Sequence, residues 1–264
     1  MHPLDGPRLK IRRAESEIGS LARAEEAFRS DADYEIVRAE FNPKSGKYVY
    51  RVRINITPDL DWGVSVGEIA HNLRSALDGL VWQLALLDTK TPASNTQFPI
   101  FLIRRTRGKR PGFEDAGRRY IRSLRPNHQA IIEGLQPYQR KFSPMDVGRG
   151  RNNVLYLLHE INNADKHRLL QVVGGKPGIT SWGGQWGNAP PGSVEITGPD
   201  IRVLKDGAKL MEAAVDVAVY PKFIPLIAFW QGCPAVRNKA VVFTFGRIAR
   251  WVSDIVESFA PDFP

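Results

Sequence analysis

The chain has 264 residues, a formal net charge of +9, 42% hydrophobic and 25% charged residues, and one cysteine. That length and balance fit a folded chain with a sizeable core, not a disordered or collagen-like one. A single cysteine excludes an internal disulfide and an all-cysteine zinc site, and the reading is a cytoplasmic protein.

The N-terminal stretch LKIRRAESEIGSLARAEEAF is charged and carries no apolar leader core, so no secretory signal is expected. Residues 5–29 predict a long helix with Ile11, Ile18, Leu21 and Phe28 on its drier side. The period then changes. YEIVRAEF, the turn NPKSGK and the alternating KYVYRVRINIT predict a β-hairpin over 34–57.

SVGEIAHNLRSALDGLVWQLALL, 65–87, predicts the strongest helix. Val66, Ile69, Ala70, Leu73, Leu77, Leu80, Val81 and Leu84 share one face, and Ser65 with Glu68 reads as a capping box. A loop bearing FPIF, 98–101, follows. Short helices are expected near 115–124 and 126–135, then a helix over 151–167. Beyond it the pattern turns to strands: RLLQVV, VEITG, IRVLKDGAKLM with an Asp206-Gly207 turn, VDVAVY and FIPLIAFW, the last bent or at an edge because of Pro225. Residues 174–192, rich in Gly and Trp, predict an irregular loop. FIPLIAFW is the longest apolar run and is too short to span a bilayer. Val242, Phe245, Ile248, Val252, Ile255, Val256 and Phe259 predict a closing helix over 239–259. The expected class is α+β in a single domain over 1–264: a core of about four long helices (5–29, 65–87, 151–167, 239–259), with antiparallel β-hairpin and sheet segments (about 34–57 and 168–231) at its side.

Charge is concentrated. Between Arg104 and Arg151 thirteen Lys or Arg face four acids, a surplus equal to that of the whole chain. Arg104, Arg105, Arg107, Lys109, Arg110, Arg118, Arg119, Arg122 and Arg125 are the candidate nucleic-acid contacts, since a basic block is the electrostatic footprint of a polyanion binder. The competing reading is a solvated loop, or a dock for an acidic protein partner. No membrane partner is expected, and the sequence sets no oligomeric state.

Polar residues run beside the apolar faces of two helices. On the first, His71, Arg74 and Asp78 fall in line, with Arg74 and Asp78 spaced for an i, i+4 ion pair. On the second, His159, Asn163 and His167 repeat every four residues, while Asn162 and Asp165 continue the stripe of Val154, Leu158 and Ile161. Buried polar groups are costly unless bonded, so two such stripes call for a network where they meet. In the structural version Arg74 ties to Asp165 across the helix pair, Asn162 bonds a backbone carbonyl, and the histidines are satisfied in the core. In the chemical version His71, His159 or His167 handles protons and Arg74 or Lys166 steadies an anion. The candidate catalytic set is therefore His71, Arg74, Asp78, Asn162, Asp165, Lys166 and His167. No metal or cofactor is assigned: Glu68 and His71 make only half of a paired Glu-x-x-His pattern, and no phosphate loop or nucleophile elbow occurs.

HNLRSALDGLVWQLA (71–85) and NNADKHR (162–168) together resemble an uncharacterised bacterial, actinobacterial-type protein family. That resemblance implies no activity. A weaker resemblance is to HEPN-type helical domains, many of which cleave RNA with an arginine followed by four to six residues and then a histidine on one helix. Arg74 has Gly79 at that distance; Asn162 to His167 has the spacing, with Lys166 and Arg168 flanking the histidine. The leading expectation is a nucleic-acid-interacting protein, RNase-like or defence-related. The alternative is a non-enzymatic interaction protein whose polar stripes only fix packing, and a third is a small-molecule enzyme with the Trp182/Trp186 loop as its cover.

Overall fold

The structure, a computed structural model, describes residues 2–31, 34–54, 61–109, 111–139, 153–165, 171–185, 194–196, 207, 209–213, 218–231, 233–237 and 239–264. The elements in chain order are α1 (Asp5–Asp31), β1 (Tyr34–Asn42), β2 (Lys47–Ile54), α2 (Asp61–Thr89), a π-type turn (Phe113–Gly117), α3 (Arg118–Tyr120), α4 (Pro126–Gly134) and a 3-10 turn (Pro137–Gln139). There follow α5 (Val154–Asp165), β3 (Gln171–Gln185), β4 (Val194–Ile196), β5 (Lys209–Ala213), β6 (Ala218–Gln231), α6 (Val241–Ser258) and a 3-10 turn (Ala260–Asp262). The class is α+β, with α1, α2, α5 and α6 as the helical core.

Helix α2 is the central rod. All eight of its predicted apolar positions are fully buried. Around it pack α1 through Ile11 and Leu21, α5 through Leu158 and Ile161, and α6 through Phe245, Ile248, Val252 and Ile255. At about 25 cal/mol per Å² of apolar surface removed from water, this shared face is the main driving force for the helical layer. The helix starts at Asp61, one turn before the expected Ser65. An acid in the first turn complements the helix dipole, so the Ser65/Glu68 pair lies inside the helix and is not its cap.

Two antiparallel sheets flank the helices. The first has order β1-β2-β5-β4 and joins both predicted β regions. The hairpin β1–β2 turns at Gly46, whose φ of +65° suits a residue without Cβ. The second is the long ribbon β3–β6. Here the expected loop at 174–192 is corrected: β3 runs through Gln185, with Trp182 paired to Pro221. The ladder has three register shifts, one of them at Gly174–Gly175, and Pro177 faces Pro225, where neither residue has an N–H to donate. Pro225 thus sits within a paired strand. At one shift the Ile227 N–H turns instead to the buried Glu25 carboxylate of α1, at 2.8 Å. Trp186 lies outside the described residues. No described helix is long and apolar enough to cross a membrane.

Candidate functional site

A cleft of about 730 Å³ opens between α2, α5 and the extended segment 97–103. That volume is in the range of small-molecule sites. Its α2 side carries His71, Arg74, Ser75 and Asp78, and its α5 side Tyr156, His159, Glu160, Asn162 and Asn163. The two polar stripes therefore do meet. They meet across the cleft, while α5 packs on α2 through Leu158 and Ile161.

The third wall is Phe98–Ile103, which belongs to no strand. Side chains replace a ladder there. Asp78 Oδ1 accepts the Phe98 N–H at 2.9 Å, while Arg74 donates to the Phe98 carbonyl. From the other side the fully buried Gln136 donates to the Pro99 carbonyl at 2.9 Å and accepts the Phe101 N–H at 3.0 Å. The Gln97 N–H reaches the Tyr120 carbonyl at 3.3 Å. Five backbone groups of an irregular segment are thus bonded, which makes it a fixed wall.

Arg74 and Asp78 form the i, i+4 pair that their spacing predicts, at 2.8 and 3.2 Å. The expected Arg74–Asp165 tie is corrected. Asp165 lies over Gly67, two turns earlier on α2, where an added Cβ would come within 2.6 Å of its Cγ. Seven residues of helix separate Gly67 from Arg74, about 10 Å along the axis. The glycine gives room for the carboxylate against the helix backbone. Burial pushes the Asp165 carboxyl above its ordinary range, and nearby His71 pulls it part of the way back.

The imidazoles stand at the open side. His71 is exposed, with Nε2 at 3.4 Å from Ser75 Oγ. His159 is half-buried, with Nε2 at 2.9 Å from Asn163 Nδ2. Asn162 is 5% exposed, lines the cleft, and makes no side-chain hydrogen bond among the described residues. The expected bond from its amide to a backbone carbonyl is not found there. Arg74 Nη1 is likewise buried without a partner among the described residues.

Of the seven candidate catalytic residues, His71, Arg74, Asp78 and Asn162 line one cleft, Asp165 sits behind His71, and Lys166 and His167 lie outside the described residues. Gln97, Tyr120 and the 98–103 wall were not singled out from sequence; the lone hint was a proline in an apolar tetrapeptide. His159 and Asn163 were on the stripe but outside the chosen set.

The basic block is partly neutralised. Arg104 and Arg105 pair with Glu114 at 2.9 and 2.8 Å, and Arg118 with Glu133 at 3.0 Å. Arg125 is tied to Asp262, His128 and the Asp88 carboxylate. Arg107, Lys109, Arg119 and Arg122 are exposed and form no ion pair among the described residues. Arg110 lies outside them, as do Arg140, Lys141, Arg149 and Arg151. The loop bearing Arg104 to Lys109 springs from the cleft edge, since Ile103 and Pro111 both line it. Hydrogen bonds Phe113 N–H to Ile103 carbonyl, at 3.0 Å, and Glu114 N–H to Arg104 carbonyl, at 2.9 Å, close its base.

Among the described residues no group of three or more His, Cys, Asp or Glu is placed to hold a metal ion. Cys233 is buried in the core, where burial pushes its thiol up. In comparisons with known proteins, no family model, no curated protein and no solved structure matches the chain.

Proposed function

We propose that this chain is a nucleic-acid-interacting protein, an RNase-like enzyme whose reacting groups are in the α2–α5 cleft. The observation that carries the reading is the meeting of His71 and His159 in one cleft, with the basic 104–109 loop rooted at its edge. Open cations at Arg107, Lys109, Arg119 and Arg122 hold the phosphate backbone without sequence preference. One nucleotide leaves the strand and enters the cleft.

Cleavage of this type needs two proton transfers. One imidazole takes the proton of the ribose 2′-hydroxyl as that oxygen attacks the adjacent phosphorus. The other gives a proton to the departing 5′-oxygen. The products are a 2′,3′-cyclic phosphate and a 5′-hydroxyl. His71 suits the base role, because the Asp165 carboxylate beside it stabilises the imidazolium that forms.

The test is cleavage of a fluorescent single-stranded RNA, with wild type compared to His71→Ala and His159→Ala. The expected result is a cyclic-phosphate product and a loss of about 100-fold or more in either variant, with Tm unchanged. An RNA left uncut and unbound at low salt overturns the proposal.

A second reading has its own support. Arg74 and Asp78 spend their hydrogen bonds on one another and on Phe98, which is a packing role. On that reading the polar stripes only shape the fold, and the basic block docks an acidic protein partner. The histidine variants then change Tm and nothing else.

A further inference from the structure

The lining of the cleft argues about what enters it. Among the described residues one cation, Arg74, faces two carboxylates, Asp78 and Glu160. The Arg74 charge is already matched by Asp78. Arg74, Asp78 and Glu160 together leave the inner lining with a carboxylate in excess, and a phosphate would enter against that field. The unpaired cations are on the 104–122 surface outside it.

The remaining features suit a flat, uncharged ligand. Phe101 and Tyr120 stack, with centroids 6.4 Å apart and planes at 28°, and both line the cleft. The side-chain amides of Gln97 and Asn162 line it too, and neither makes a hydrogen bond among the described residues. Each offers a donor and an acceptor side by side, the pattern that reads a nucleobase edge. Aromatic faces supply the stacking that holds single-stranded bases. A fixed wall keeps these groups in place before any ligand arrives, so little ordering cost falls on binding.

We propose that the inner cleft is a nucleobase site: it takes the uncharged base of a nucleotide on the Gln97 and Asn162 amides and leaves the phosphate at the mouth. The choice of a nucleobase among planar heterocycles rests on the nucleic-acid reading above.

The experiment is calorimetric titration of the full chain with the four common ribonucleosides, their 5′-monophosphates and inorganic phosphate, at two salt concentrations. The expected result is binding of at least one nucleoside, with affinity within about threefold of its monophosphate and little affected by salt. Excess inorganic phosphate should not compete. Asn162→Leu and Gln97→Leu should each weaken the nucleoside at least tenfold, with Tm unchanged or raised. Displacement of nucleoside by phosphate overturns the inference, as does a monophosphate bound tenfold or more tighter than its nucleoside. Cleavage of RNA by a chain that binds no nucleoside sinks the base site and spares the RNase reading. Nucleoside binding by a chain that neither binds nor cuts RNA does the reverse.

Discussion

Two histidine clusters belong to the same helix bundle, and they are built on opposite plans. At one, His128 is wholly buried between Asp88 at the end of α2, Arg125 before α4 and Asp262 near the C-terminus. Its Nδ1 is 2.7 Å from Asp88 Oδ2, and its Nε2 is 2.6 Å from Arg125 Nη2. Since the guanidinium can only donate, Nε2 accepts and Nδ1–H donates to the carboxylate. Asp88 also accepts the Arg125 N–H at 2.8 Å, and Phe259 packs edge-on to the ring. The two ring nitrogens and the Asp88 carboxylate are all engaged, and the ring has no exposed surface. At the other cluster, His71 is exposed, Asn162 is buried but unbonded among the described residues, and a cleft lies between them. A closed network pins elements together. An open one keeps bonding capacity for something that arrives later.

The largest effect should come from breaking the closed cluster. His128→Ala leaves the Asp88 carboxylate, with only 3% of its side chain exposed, without its nearest partner. Removing one member of a buried charged network costs about 3–5 kcal/mol, so we expect Tm to fall by about 10 °C on a chain this long. Nucleoside binding by the folded variant should be unchanged. A drop of under 2 °C by calorimetry would show that the pin is not holding the C-terminal turn.

Next comes the wall that the two plans share. Gln136→Leu keeps the volume and removes the bonds to Pro99, Ile132 and Phe101. Backbone groups left unsatisfied cost about 1–3 kcal/mol each, and we expect a loss of about 2–3 kcal/mol in denaturant unfolding. Because the wall also lines the cleft, nucleoside affinity should fall with it. Loss of stability with affinity intact would separate the wall from the site.

Smaller in stability and larger in function is Asn162→Leu. The Asn162 amide lines the cleft and makes no bond within the fold among the described residues, so an apolar replacement of the same branched shape removes no internal hydrogen bond. Tm should stay or rise while binding is lost. A fall in Tm of more than about 4 °C would mean that the amide has a structural partner and that the cluster is closed after all.

The contrast was only half visible in the sequence. The apolar face of α2 was fully legible, because eight residues at helical spacing have one way to be buried together. The polar stripes were legible as stripes. Spacing also supplied one partnership, Arg74 with Asp78, since a pair on the same helix needs no long-range closure. What it could not supply was the pairing between helices: Asp165 lies over Gly67 and not against Arg74. The wall at 98–103 has no period at all. Its bonds run to Asp78 and Gln136, 20 to 37 residues away, and only the fold brings them near. The Gly-rich 174–185 segment failed for the opposite reason: local composition reads as loop, while pairing with β6 along its length overrides it. His128 carries no local signal, because its partners Asp88 and Asp262 are distant in the chain.

Asp165 offers the finest test, because it stands between the two plans: half-buried against Gly67, with His71 beside it and a carboxyl pushed up mainly by burial. A carboxyl whose value is raised on folding prefers to be protonated in the folded chain. Stability is therefore highest when the pH is below the unfolded value of 3.8 and falls as the pH rises through the interval up to the raised value. At neutral pH the ionised group is a standing cost. Asp165→Asn removes that cost and keeps the shape that fits over Gly67, so the variant should be the more stable at pH 7, by no more than about 2 °C in Tm, and equal to wild type under acid conditions. A chain that keeps such a carboxylate gains something else from it, and on the present reading that is a stronger base at His71. Asp165→Asn should then cut RNA more slowly while melting later. If the variant melts earlier at pH 7, the carboxylate is held by a favourable partner, and its place behind His71 is packing and not chemistry.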